Sequence, residues 1–134
     1  MSLIRLLPAW LHAIADYAVG VSLIVIALAV HGTSGATGTG IVVGATVLLV
    51  SMLTRYPLGV VKVLPFTVHS AGDYLAAVLL FIAPFALNFS KSDPALTLFY
   101  LAAGAAVAAV SLITNYQYSP KRDAAAQPAW RYSA

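Results

Sequence analysis

Residues 11–30 read Leu-His-Ala-Ile-Ala-Asp-Tyr-Ala-Val-Gly-Val-Ser-Leu-Ile-Val-Ile-Ala-Leu-Ala-Val, with one histidine, one acid and no basic residue. At 1.5 Å per residue, a helix of this length covers about the 30 Å hydrocarbon thickness of a bilayer. His12 and Asp16 sit near its entrance, where a polar group costs free energy unless it has a partner. An unpaired carboxylate costs about 2.5–3.5 kcal/mol at mid-membrane on insertion scales, and less near the interface. The polar pair is not an accident of one segment, because His-Ala-Ile-Ala-Asp-Tyr at 12–17 returns as His-Ser-Ala-Gly-Asp-Tyr at 69–74.

Working outward, the repeat extends well past the motif. At an offset of 57, Leu7-Pro8, His12, Asp16-Tyr17 and Ala29 match Leu64-Pro65, His69, Asp73-Tyr74 and Ala86. At an offset of 60, Gly44-Ala45, Val47, Val50-Ser51, Thr54 and Tyr56 match Gly104-Ala105, Val107, Val110-Ser111, Thr114 and Tyr116. The change of offset falls in a turn, where insertions cost least. We therefore read an all-α membrane protein of two tandem helical hairpins. Residues 1–63 form the first repeat, with helices at about 11–30 and 39–54. Residues 64–118 form the second, with helices at about 68–89 and 95–116, and residues 119–134 form a tail.

Composition agrees with that class. The chain is 134 residues long, 61% hydrophobic and 8% charged, with a mean hydropathy of +0.92. These values do not suit a soluble domain of this size. With no cysteine, disulfides, thiolate metal sites, iron–sulfur clusters and cysteine nucleophiles are excluded. The net charge of +3 comes from scattered residues and does not suggest nucleic-acid binding. Arg5, Arg55, Lys62, Lys121, Arg122 and Arg131 fall on one side of the expected topology and Lys91 on the other. The positive-inside rule then puts both termini in the cytoplasm. Each unit crosses twice, so the copies form a parallel repeat about an axis along the membrane normal. Residues 1–9 suit an interfacial lead-in, and the first apolar run lacks the cut site of a signal peptide.

The connections are read from their turn chemistry. Gly32 to Gly40 looks like a glycine-rich turn, without the strand and Lys-Ser/Thr that a phosphate loop requires. Gly40-x-x-x-Gly44 gives the second helix a bare face, and Gly104 together with the alanines from Ala102 to Ala109 does the same for the fourth. Residues 55–67 suit a short interfacial helix or turn. Pro84 should bend the third helix, while Asp93 and Pro94 suit the N-cap and first residue of the fourth. His31 and its counterpart Asn88 read as polar caps. Trp10, Tyr17, Tyr56, Tyr74, Tyr116 and Trp130 read as an aromatic belt near the cytoplasmic boundary.

His and Asp four residues apart share a helical face. In the structural reading, each Asp accepts from its own histidine and from hydroxyls of its hairpin mate. Ser51 and Thr54 would serve Asp16, and Ser111 and Thr114 would serve Asp73, locking each hairpin. In a second reading His12, Asp16, His69 and Asp73 meet across the pseudo-twofold axis, where they could ligate a metal ion, or the imidazoles a haem. A third reading makes the acids a proton or ion relay. No nucleophile constellation stands out, so no catalysis is expected.

Ile82-Ala83-Pro84-Phe85, with His69 and Asp73-Tyr74 upstream, resembles the SPW-repeat integral membrane family, small bacterial proteins of two-helix repeats with a Ser-Pro-Trp signature. The first helix carries Ala27-Leu28 where that signature would have Pro and Trp. The resemblance implies a multi-pass protein of the bacterial inner membrane and carries no reaction with it. The resulting expectation is a non-catalytic accessory or scaffold subunit of a larger membrane complex, respiratory or photosynthetic, or a homo-oligomer. Its partners would be the lipid bilayer and other transmembrane subunits or copies of itself. A haem- or metal-binding protein is the alternative, and a small ion or proton transporter the third. The sequence favours no cofactor.

Overall fold

The computed structural model describes residues 5–116, so the expected tail and its Lys121, Arg122, Trp130 and Arg131 lie outside the described residues. The chain forms four helices, α1 (Ala9–Val30), α2 (Ser34–Leu53), α3 (Phe66–Ala86) and α4 (Pro94–Ile113). All four are long and apolar enough to cross a membrane. Their outward faces carry large apolar side chains such as Val42, Leu75, Phe85 and Leu98, as a surface solvated by lipid requires.

Two boundaries correct the sequence reading. The turn after α1 is not the glycine-rich stretch 32–40, because α2 already begins at Ser34. His31 ends α1 in the left-handed conformation, φ 53°, and the Thr33 hydroxyl accepts from the Ala36 N–H. Glycine is a poor helix former in water, but in hydrocarbon every backbone group needs an internal partner, and a helix supplies one. At the other turn Asp93 occupies the N-cap position of α4 without capping it through its side chain. Its carboxylate instead crosses to the first turn, accepting from the Thr33 hydroxyl (2.6 Å) and the Thr33 N–H (3.2 Å). Asn88, the sequence counterpart of His31, also takes a positive φ of 55°.

Glycine sets how closely the helices approach. A Cβ on Gly40 would lie 2.5 Å from the Ala27 Cβ and 2.7 Å from the Leu23 carbonyl oxygen. On Gly44 it would lie 2.7 Å from the Gly20 carbonyl oxygen. The Gly40-x-x-x-Gly44 face is therefore used against α1 rather than offered to an outside partner. Gly104 plays the same part against Ala77 and Leu80 of α3. Close backbone approach matters here because lipid tails leave van der Waals packing as a main source of cohesion between helices.

The helices form a ring in which α1 packs on α2 and α4, and α3 packs on α2 and α4. The larger core, with Leu23, Leu80, Phe89, Leu96 and Tyr100, fills the half nearer the two short turns. There Tyr100 donates to the Ala36 carbonyl at 2.6 Å. At the opposite end the link 54–65 folds back on α2 without forming a helix. Val60 and Val61 donate to the Met52 carbonyl, and Val63 and Leu64 to the Leu53 carbonyl, which satisfies oxygens that a helix end leaves open. The segment before α1 treats α4 similarly, with Leu6 and Leu7 donating to the Ile113 carbonyl. These returns bring Thr54 beside Leu64 and Thr114 beside Leu7, so each threonine lies next to the start of a helix bearing the motif.

Candidate metal centre

The spacing of four residues turns His12 and Asp16 of α1, and His69 and Asp73 of α3, toward the interior. Both histidines are 1% exposed and both acids 7%. The helices α1 and α3 stand diagonally in the ring, so their polar pairs meet on its axis. Imidazole Nε2 of His12 lies 3.4 Å from Nε2 of His69. His12 Nε2 is 3.3 Å from Asp16 and 3.2 Å from Asp73, and His69 Nε2 is 3.0 Å from each. Asp16 and Asp73 thus face their own helix's histidine and the opposite one alike. One donor atom from each of the four residues lies within 4.8 Å of all the others.

The threonines do not serve the carboxylates, which corrects the expected lock. Thr54 Oγ1 lies 2.8 Å from His69 Nδ1, and Thr114 Oγ1 lies 2.7 Å from His12 Nδ1. Each hydroxyl has one proton, and each gives it to a carbonyl four residues back, Val50 or Val110. The hydroxyl oxygen must then accept from the imidazole, which fixes the proton on Nδ1 of both histidines. Both Nε2 atoms are left facing carboxylate oxygens.

Hydroxyls of another kind reach the acids. Tyr56 donates to Asp16 at 3.2 Å, and Tyr116 donates to Asp73 at 2.8 Å. Ser111 adds a bond to Asp73 at 3.2 Å, as the sequence suggested. Ser51 is buried, but its hydroxyl makes no hydrogen bond, so the expected bond from Ser51 to Asp16 is not formed. Burial first, and the neighbouring carboxylate second, push both phenols well above their ordinary range, so they remain donors. The sequence had assigned these tyrosines to an aromatic belt. The signal that singles them out was present, since Tyr56 and Tyr116 occupy the same place in the two repeats. Phe66 closes the site, with its ring centroid 5.4 Å from that of His12 and 4.7 Å from that of Tyr116.

Two carboxylates and two Nε2 atoms at these distances need something positive between them. A proton on each Nε2 would balance the charge, but would set two imidazolium cations 3.4 Å apart at their nitrogens. One divalent ion balances the same charge without that contact. Four donors about 2.0–2.1 Å from a tetrahedral ion lie about 3.3 Å from one another; the two Nε2 atoms (3.4 Å apart) and Asp16 Oδ2 (3.3 and 3.0 Å from them) lie close to that figure, while Asp73 meets His12 through Oδ2 at 3.2 Å and His69 through Oδ1 at 3.0 Å. Nitrogen and oxygen donors with no sulfur suit zinc, iron, manganese or cobalt in the divalent state. Haem fits poorly, because a macrocycle would have to pass between the two Nε2 atoms, where both carboxylates stand. Comparisons with protein families, with curated proteins and with solved structures return no match.

Proposed function

We propose that this chain is a multi-pass membrane protein that holds one divalent transition-metal ion between its two hairpins, with His12, Asp16, His69 and Asp73 as ligands. The observation that carries this reading is the convergence of four donor atoms within 4.8 Å, with each Nδ1 already occupied by a threonine. Metal-bound histidines characteristically carry such an outer bond, which orients the ring and raises its basicity.

The finer placement belongs to the same proposal. Arg55 and Lys62 lie at the end of the bundle where the site is, as does Arg5, and Lys91 lies at the other. That distribution supports a cytoplasmic face for the metal end and an inner-membrane location of the kind found in the SPW-repeat family. A scaffold role in a larger complex would have to use apolar faces other than Gly40 and Gly44.

The test is elemental analysis of detergent-purified protein, with cobalt substitution read by visible absorption. Stoichiometric metal and a d–d spectrum, both lost in His12→Ala and His69→Ala with helicity retained, are expected. Protein that binds none of zinc, iron, manganese or cobalt after equilibration would end the proposal.

A further inference from the structure

The link 54–65, folded back on the end of α2, carries cations that no carboxylate among the described residues neutralises. Lys62 stands in the left-handed conformation, φ 47°, between the two pairs of N–H groups that reach Met52 and Leu53. Its carbonyl accepts from Arg55 Nε at 3.0 Å, and the Arg55 N–H donates to the Leu64 carbonyl at 2.8 Å. Arg55 is thus tied across the link twice, with its guanidinium against the Lys62 backbone, and both side chains are exposed. The acids of the described chain are engaged elsewhere, since Asp16 and Asp73 are buried in the candidate site and Asp93 binds Thr33 at the opposite end. Residues 117–134 bring Lys121, Arg122 and Arg131 against Asp123 alone, so their charge does not complement the link. Around the two cations Leu58, Val60, Val61 and Val63 are exposed. The second repeat supplies a comparison: Arg5-Leu6-Leu7-Pro8 matches Lys62-Val63-Leu64-Pro65, but Asn115 stands where Arg55 does. Its backbone bonds are the same, Leu6 and Leu7 to Ile113 and Asn115 to Leu7. The corner is built twice, with two cations in one copy and one in the other.

We propose that Arg55 and Lys62 together bind the phosphate headgroup of an anionic phospholipid from the leaflet at this end of the bundle. A guanidinium presents paired N–H donors that match phosphate oxygens, and the ammonium adds a point charge. The exposed valines select the source of the phosphate. Apolar side chains beside cations favour a phosphate that arrives with acyl chains over one free in water. A zwitterionic lipid carries the same phosphate, but its own cation offsets the attraction, so net negative charge is what the corner selects. The corner is separate from the four-ligand site and needs no bound metal.

The experiment titrates the delipidated full chain in mild detergent with phosphatidylglycerol and with phosphatidylcholine, and counts retained lipid by native mass spectrometry. Phosphatidylglycerol should be preferred, with an affinity about fivefold lower in Arg55→Gln and in Lys62→Gln and weakened by salt. Lys62→Arg, which keeps the charge, and Lys91→Gln, at the opposite end, should bind as the unaltered chain does. Asn115→Arg, which builds the second cation into the other corner, should retain one further phosphatidylglycerol, a gain that a misfolded variant would not show. Equal retention of the two lipids, a preference unaltered in both glutamine variants, or no gain in Asn115→Arg would overturn the proposal. Displacement by millimolar inorganic phosphate would overturn the lipid as the source of the phosphate.

Discussion

His69 has one nitrogen committed to support and the other to the site. Nδ1 gives its proton to Thr54, and Nε2 faces Asp16 and Asp73 at 3.0 Å. His12 is arranged alike with Thr114. With a metal bound as proposed, the threonines would act on it through the histidines, as positioning residues. Thr54→Val and Thr114→Val keep the side-chain shape and remove the acceptor. Each should weaken cobalt binding by about 10–100-fold, as loss of an outer-shell partner typically does. Spectroscopic titration checks this, and Thr→Ser should restore affinity where a purely steric role would not. At this scale the sequence was legible where contacts are local. The i,i+4 spacing showed that His and Asp share a face. The partnership of His12 with Thr114 spans 102 residues, and no spacing rule reaches that far. The tyrosines were missed for a related reason, since an aromatic residue at a membrane boundary is ordinarily a belt residue and only its duplication argued otherwise.

At the scale of elements, four apolar segments and a breaking turn between each pair were readable from hydropathy. The positions of the breaks were less so. Glycines that would end a helix in water are carried inside α2, where they let α1 approach. The two short turns are joined by Asp93, whose carboxyl is held below its ordinary range mainly by the Thr33 hydroxyl, with the Thr33 N–H and Ser92 contributing. The sign follows from that depression. The clasp is complete above the ordinary carboxyl value, about 3.9, and is lost as pH falls through the lower folded value. Because Asp93 is only half-buried and lies at the surface, the effect is small and screened by salt. Thermal melts in detergent should show a decline below about pH 4 that is shallower in Asp93→Asn, and the difference should shrink in high salt. Identical pH profiles for the two proteins would rule the clasp out as a source of acid sensitivity.

Across the whole molecule, the ring α1–α2–α3–α4 leaves the diagonal helices α1 and α3 to meet chiefly through side chains at one end. Neither this neighbour order nor the choice between hairpin mates and the opposite half could be read from the repeat, because both follow from how two similar hairpins dock. An ion on the axis, as proposed, would tie the halves together and favour the folded state, in which alone the four ligands converge. At a free zinc concentration 100 times Kd, linkage raises stability by about 2.7 kcal/mol. Unfolding in mild detergent should shift to higher denaturant with zinc. Asp16→Asn and Asp73→Asn should each abolish most of that shift, and a zinc effect that survives both would place the ion elsewhere.

The exchange of threonines bears on how such a chain could have arisen. Residues 1–63 contain one histidine and one acid of the site together with Thr54, yet Thr54 supports His69, and His12 depends on Thr114. A lone hairpin would leave its imidazole without a supporting hydroxyl and its carboxylate with half its neighbours. Two identical copies docked about an axis would supply every missing bond at once. Joining two such copies end to end would do no more than connect what a symmetric pair of short proteins could already build. Once joined, each copy carries parts that work only in the other, so neither is free to drift alone.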